Sequence, residues 1–576
     1  MASYRKKALA VLAAASMSVA VAACGSSSSN GDKGTAAGGK GGTLTYYIRA
    51  ALEHTDPQRT YVGRDITNWS RTVYRSLVTF PISADPKVAT TPVPDLATNT
   101  GTSSDGGKVW SYTVKDGVKW QDGSPITCAD FKYGASRPFA TDVITGGPNY
   151  ILTYLDIPLD AKTGLPIYTG PYKHTAAGQA AFDKAVTCSG NTITYHFKKP
   201  WPDFPLAIAA LHMMDPYKQS MDQGDKSNYQ IFSNGPYELQ GTWDKEKGGT
   251  LVRNPNYDPK TDSTDIRKAL PDKIIFDIGK SSEQIADQLI ADSGPDKAAV
   301  TGQSIPASYF SQITGDVLKR AVNVESPYTD YAVPNFKRMT NPLVRQALLA
   351  STDDAGWVAA GGGDKSYKVS TDIVNPAVKG YQQGLLGGGS GDPAKSLDLL
   401  KQAGVKTPYP ITFTYPSTPT ADKQAAALQA GWEKGGFKVT LEGVADQNTY
   451  YTNIQQPNQK ADLIWAGWGA DWPSAITVTA PLFDSRPNLT PSSNGQDYGA
   501  YKSSEFEALV DKAQTSSNLD QQTQFLQDAD KVLAKDVAYI PLDIPIFYML
   551  RGSSITGYMT DAASNMYPDL GSIGVQ

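Results

Sequence analysis

Lys460-Ala-Asp-Leu-Ile-Trp-Ala-Gly-Trp-Gly-Ala-Asp-Trp472 is the stretch on which the reading of the whole chain turns. Its centre, Leu463 to Gly467, is a continuous apolar run without the polar alternation of a half-solvated strand. Such a run suits a strand buried on both faces of a parallel sheet. Gly467 and Gly469 follow at its C-terminal end, where ligands tend to sit in open α/β sheets, and a missing side chain there lets another backbone approach closely. Asp471 comes next, flanked by Trp468 and Trp472. A carboxylate so placed is either a turn or helix-cap residue ahead of Trp472-Pro473, or the charge-assisted partner of a desolvated cation. Trp468 and Trp472 either wall side-chain pockets or pack in the core.

Working outward, the pattern is mixed α/β with long connections rich in Pro and Gly and no internal repeat. Leu44–Ile48 reads as an opening strand, Thr192–Phe197 alternates as another, and Gly436–Leu441 runs with period two. Asn341-Pro342 supplies an N-cap and a first-turn proline, after which Leu343, Val344, Ala347, Leu348 and Ser351 fall at helical spacing. Ser504 to Glu507 has the spacing of a capping box, and Phe525, Leu526, Ala529, Val532 and Leu533 form a helical stripe.

With 576 residues, 40% hydrophobic and 19% charged, the chain is too long for a single core. A formal charge of −4 without any extended Lys/Arg run argues against nucleic acid as a partner. Three cysteines, four histidines and no C-x-x-C pair leave little material for a metal site, and no cofactor is indicated. Gly34 to Lys40 imitates a phosphate-binding P-loop, but Gly41 stands where Ser or Thr must hold magnesium and no strand precedes it. H-E-x-x-H and G-x-S-x-G are both absent, so neither a zincin nor an α/β-hydrolase is signalled. His212-Met213-Met214 points its neighbours in different directions and reads as packing. Arg345, in the Pro-capped helix, reads as a structural ion-pair former.

The N-terminus is the plainest segment. Arg5-Lys6-Lys7 precedes a short apolar stretch, Ala8 to Ala20, too brief to span roughly 30 Å of hydrocarbon. Val21-Ala22-Ala23-Cys24 resembles the lipobox of bacterial lipoproteins, which implies cleavage after residue 23 and a diacylglycerol on Cys24. Residues 25–42 are mostly Ser, Gly and Ala, a flexible coil whose reach is roughly 20–25 Å. The tether is therefore taken as 24–42. Without residues 1–23 the balance is 50 basic against 57 acidic side chains. Cys128 and Cys188 then remain, either as a disulfide closing a loop of about 60 residues, which would contribute about 4 kcal/mol, or as two buried thiols.

Several separated tracts together resemble the oligopeptide/dipeptide-binding class of extracytoplasmic solute-binding proteins that serve ABC importers. They are Pro94-Asp-Leu-Ala97, Asp105-Gly106 and Trp110 to Thr127, Asn234-Gly-Pro-Tyr237, Arg253-Asn-Pro-Asn-Tyr257, Val344 to Leu348, and Ala466 to Trp472. The resemblance implies an α/β fold of the type II periplasmic-binding-protein kind, with two main lobes joined by a hinge and an extra inserted lobe. By position, lobe I takes 43–75, 198–325 and 538–576, the inserted lobe II takes 76–197, and lobe III takes 326–537. It further implies a monomer that is not an enzyme, a peptide held between the lobes, an ABC permease as partner, and Asp471 as the anchor of the peptide's α-ammonium. Some members carry an arginine before the Ala-Gly-Trp tract to meet the ligand's carboxylate; Trp465 stands there in this chain, which opens the way to other solutes such as a nickel chelate, haem, an oligosaccharide or a signalling peptide.

Overall fold

The computed structural model describes residues 39–576. The expected signal segment, Cys24 and most of the tether lie outside the described residues.

The chain enters the fold with β1 (Thr43–Ile48), whose last five residues are buried. It then leaves that sheet to build a separate one from β2 (Thr102–Ser104), β3 (Val109–Thr113), β4 (Val186–Ser189) and β5 (Thr192–His196), in the order β2-β3-β5-β4. β6 (Tyr237–Asp244), β7 (Gly248–Arg253), β8 (Lys273–Ile278) and β9 (Ala299–Thr301) return to β1 and complete a five-stranded sheet in the order β9-β1-β8-β7-β6. β1 lies between two parallel neighbours, β8 and β9. That placement is why a strand with Leu44, Tyr46 and Ile48 on one face and Tyr47 on the other is apolar on both.

The third sheet is built from β10 (Ala321–Glu325), β11 (Tyr328–Pro334), β12 (Tyr367–Val369), β13 (Tyr409–Pro416), β14 (Phe437–Val444), β15 (Leu463–Gly469) and β16 (Ile540–Leu550). Its path is β10-β16-β11-β15-β13-β14, with β12 also paired to β16. β15 is the strand anticipated from Leu463–Gly467, but its sheet is mixed: β15 runs parallel to β13 and antiparallel to β11. Burial on both faces needs cover on each side of the sheet, not parallel neighbours alone. β10 and β16 belong to this same sheet, so the lobe edges drawn at 325/326 and 537/538 cut through a continuous ladder. β16 is a crossing strand. Its start pairs with β11, and just past its end Gly552 donates to the Ala299 carbonyl at 2.9 Å, next to the first sheet.

The helices follow their local signals. Asn341 accepts from the Leu343 amide and starts Pro342–Ala350, which buries Val344, Ala347 and Leu348. The helix Leu519–Asp536 buries Leu526, Ala529, Val532 and Leu533. In Ser504–Thr515 the cap is Ser503, one residue before the expected position, because its hydroxyl is the one that accepts from the Phe506 amide. Cys128, opening the helix Cys128–Ser136, is disulfide-bonded to Cys188 on β4. Among the described residues no helix is long and apolar enough to cross a membrane.

Two singled-out groups are structural. Arg345 is buried and gives its hydrogen bonds to the Asp536 and Met339 carbonyls, so its partners are helix-end and loop carbonyls where an ion pair was expected. His212 is buried against Asp215, and Met213 and Met214 lie in the core. The Pro94–Ala97, Asn234 and Asn254 tracts meet at one buried junction. There Asp95 binds Arg75 at 2.8 Å and Arg267 at 2.6 Å. Burial alone would raise the Asp95 carboxyl, but the two guanidinium groups hold it at about 2.

Candidate functional site

At the end of β15 the backbone turns through Ala470 and Asp471 into the helix Ile476–Phe483. Thr477 pins that turn: its hydroxyl accepts from the Asp471 amide at 3.2 Å and donates to the Ser474 carbonyl at 2.9 Å. The half-buried Asp471 side chain is thereby directed into a cleft of about 450 Å³. Tyr61, Ile66 and Leu211 line one wall of this cleft, Pro327, Tyr328, Asp330 and Gly467–Asp471 another. It adjoins a small recess of about 40 Å³ that shares Asp471 and is floored by Phe80, Val378 and Trp472.

Two phenols, from segments that are remote in sequence, complete the site. Tyr61 donates to Asp471 Oδ1 at 2.7 Å, and Tyr150, in the helix Tyr150–Tyr154 of the inserted segment, donates to Oδ2. Tyr61 is 40% exposed, a high value for a ring whose hydroxyl is bound. Burial pushes the Asp471 carboxyl up to about 6, despite the hydrogen bonds from Tyr150 and Tyr61 that favour its charge. The result is a carboxyl raised above its ordinary range whose oxygens, among the described residues, are met by hydroxyls. Neither tyrosine was singled out in the sequence; each lies hundreds of residues from Asp471, and no local pattern marks it.

The remaining expected site residues divide. Trp468 is half-buried on the cleft wall and donates to the Thr477 carbonyl at 2.8 Å. Trp472 is buried in the core, edge-on to Tyr150 with centroids 4.7 Å apart, and its indole donates to Asp203. It packs in the core and also floors the recess beside Asp471. Trp465 lies on the same face of β15 as Gly467, opposite Trp468, and reaches into a second core cluster, edge-on to Trp357 at 4.7 Å. Gly467 and Gly469 line the cleft, yet the room above each is already used by a neighbour on β11. A Cβ at residue 467 would collide with Asp330 Oδ1, and one at 469 would lie 2.6 Å from the Tyr328 ring. The glycines let β11 side chains lie across β15, where an approach by ligand backbone was expected.

A family model for bacterial extracellular solute-binding proteins, family 5, matches residues 91–489. The chain belongs to this family. Among relatives, the periplasmic oligopeptide-binding protein OppA of Salmonella typhimurium is 24% identical over 480 residues, covering 80% of this chain and 81% of the relative. Among solved structures, clavulanic acid biosynthesis oligopeptide binding protein 2 superposes with a TM-score of 0.83 at 24% identity, covering 94% of this chain and 99% of that one. The periplasmic binding protein DppA of Helicobacter pylori, in complex with the peptide STSA, superposes with a TM-score of 0.67 at 18% identity, covering 93% and 98%. The architecture is thus that of the family 5 binding proteins, α/β with two main lobes and an inserted one.

Proposed function

We propose that this family 5 protein captures short peptides in the cleft between its lobes and delivers them to an ABC-type permease, without chemical change to the ligand. The observation that carries the reading is Asp471. A carboxylate in a partly closed cleft, met by phenol hydroxyls and, among the described residues, paired to no Lys or Arg, is suited to a ligand's α-ammonium. The oligopeptide-binding names of the relatives and the peptide in the DppA complex support it. Tyr61 and Tyr150 clasp Asp471 from other lobes, so a ligand ammonium enters as they let go, and hinge closure then excludes water and strengthens each polar contact. Lobe I comprises 43–75, 198–320 and 551–576, lobe II 76–197 and lobe III 326–537, with 321–325 and 538–550 shared as the hinge. The protein acts as a monomer. Cys24, lipidated after loss of residues 1–23, tethers it to the outer face of the membrane.

Native mass spectrometry of residues 25–576, followed by denaturation, tests the ligand. A ladder of co-purified short peptides is expected; a single non-peptide mass sinks peptide capture and leaves the fold intact. For the anchor, Cys24→Ser is expected to release the protein from the membrane fraction into the soluble one. Retention in the membrane fraction would remove the lipid from the account.

A further inference from the structure

The cleft contains a second acidic position that the α-ammonium does not use. Asp330 of β11 lines it, and Asp543 of β16 is its cross-strand partner in the antiparallel ladder. The ladder shifts register just after this pair, between Asp330 and Tyr331, and the two carboxyls are close enough for the charge of Asp330 to act on Asp543. Gly467, by lacking a side chain, leaves the room that the Asp330 carboxyl occupies.

Among the described residues, the surroundings of this pair hold donors but no cation. The Trp465 indole lies beside Asp330, and Trp357 Nε1 donates to Asp543 Oδ2. Asp543 is wholly buried, and its Oδ1 has no hydrogen-bond partner. The other groups acting on the pair are Asp354, which is itself buried, and the phenols of Tyr331, Tyr367 and Tyr451. Burial pushes the Asp330 carboxyl up to about 7, and raises Asp543, whose proximity to Asp330 adds to the effect. Two adjacent carboxyls without a counter-charge resist ionising together, and a buried acceptor without a donor is costly. A cation delivered by the ligand relieves both.

The kind of cation follows from the walls. Among the described residues no three His, Cys, Asp or Glu side chains are grouped so as to hold a metal ion. Two indoles, edge-to-face at 4.7 Å, flank the carboxyls instead. A planar guanidinium matches carboxylates in a fork geometry and is the least strongly hydrated of the side-chain cations.

We propose that Asp330, backed by the buried Asp543, forms a cation-binding subsite that takes a guanidinium side chain of the ligand, so that the preferred solute carries a second positive charge besides its α-ammonium. This rests on the reading of the cleft as a peptide site anchored by Asp471.

The test is calorimetric titration of residues 25–576 at pH 8 with trialanine, with the three tripeptides bearing arginine at one position, and with their citrulline counterparts, which keep the shape and lose the charge. At one position arginine is expected to bind at least about tenfold more tightly than citrulline. That ratio is expected to collapse to within about threefold in Asp330→Asn and in Asp543→Asn. Thermal melting establishes that each variant is folded, and the two replacements serve as checks on each other. If trialanine binds and no position separates arginine from citrulline, the subsite is overturned while peptide capture stands. If no tripeptide binds, agmatine is the deciding probe: it has no peptide bond and no carboxylate. Agmatine raising the melting temperature of the wild type but not of Asp330→Asn would uphold the subsite and discard peptide capture; no shift in either would overturn the subsite as well.

Discussion

Both oxygens of Asp471 accept phenol hydroxyls, from Tyr61 and Tyr150, whereas Asp330 has one indole and a buried neighbour, Asp543, with an oxygen that no donor reaches. The two carboxyls line the same cleft. They differ in what the empty protein has already done for them. At Asp471 the protein supplies a stand-in for solvent, so an arriving ammonium exchanges one set of hydrogen bonds for another and gains only the difference. At Asp330 the arriving charge also relieves a repulsion, so its gain includes strain already present in the fold. The first position suits any peptide with a free amine; the second discriminates among them.

The largest expected effect tests the first half of this contrast. Asp471→Ala should weaken a free-amine peptide by about 2–3 kcal/mol, because the ammonium would be buried without its partner. The N-acetylated form of the same peptide should bind the variant and the wild type alike. Equal losses for both peptides in calorimetry would make Asp471 a turn residue only.

Asp330→Asn should stabilise the protein, by up to about 4 kcal/mol at pH 8 and not at all at pH 4. With its carboxyl raised to about 7, the folded wild type keeps a proton that the unfolded chain has released between roughly pH 4 and 7. Stability therefore falls as pH rises through that window, and the asparagine removes the fall. Urea denaturation at the two pH values checks it, and a destabilised variant at pH 8 would mean that Asp330 is already paired.

The binding curves should separate the two carboxyls by pH. Trialanine affinity should be flat between about 6 and 8, fall about tenfold per unit below 6, where Asp471 protonates, and fall again above about 8, where the peptide's α-ammonium loses its proton. An arginine peptide should begin to weaken near 7, where Asp330 protonates. Coincident profiles would merge the two positions into one.

The smallest effect is at the clasp. Tyr61→Phe removes a hydroxyl that the ligand displaces, so trialanine should bind the variant more tightly by up to about 1 kcal/mol at pH 8. A loss of similar size would mean that the phenol stays on Asp471 in the complex.

The sequence announced β15, the helix caps and the position of Asp471 because each is written in consecutive residues: an apolar run, an Asn-Pro pair, an aspartate after a strand. It also contained Asp330 and Asp543, but each reads as an ordinary polar residue in a strand. Only the pairing of β11 with β16, more than two hundred residues later, sets them side by side. Tyr61 and Tyr150 escaped notice for the same reason. The glycines were conspicuous but their use was misassigned, since a sequence shows that space is available without showing what fills it. Trp465 was noticed as a departure from the family, and it proved to be the indole beside Asp330.

The placement of β1 has a mechanical side. It is the first strand after residues 24–42 and is hydrogen-bonded along both edges, to β8 and to β9. A pull transmitted from upstream runs along the strand axis and loads these ladders together in shear, whereas an edge strand pulled sideways would give way one bond at a time. On the proposed anchoring through Cys24, the sheet that holds β1 is therefore the part of the fold that takes a pull from outside.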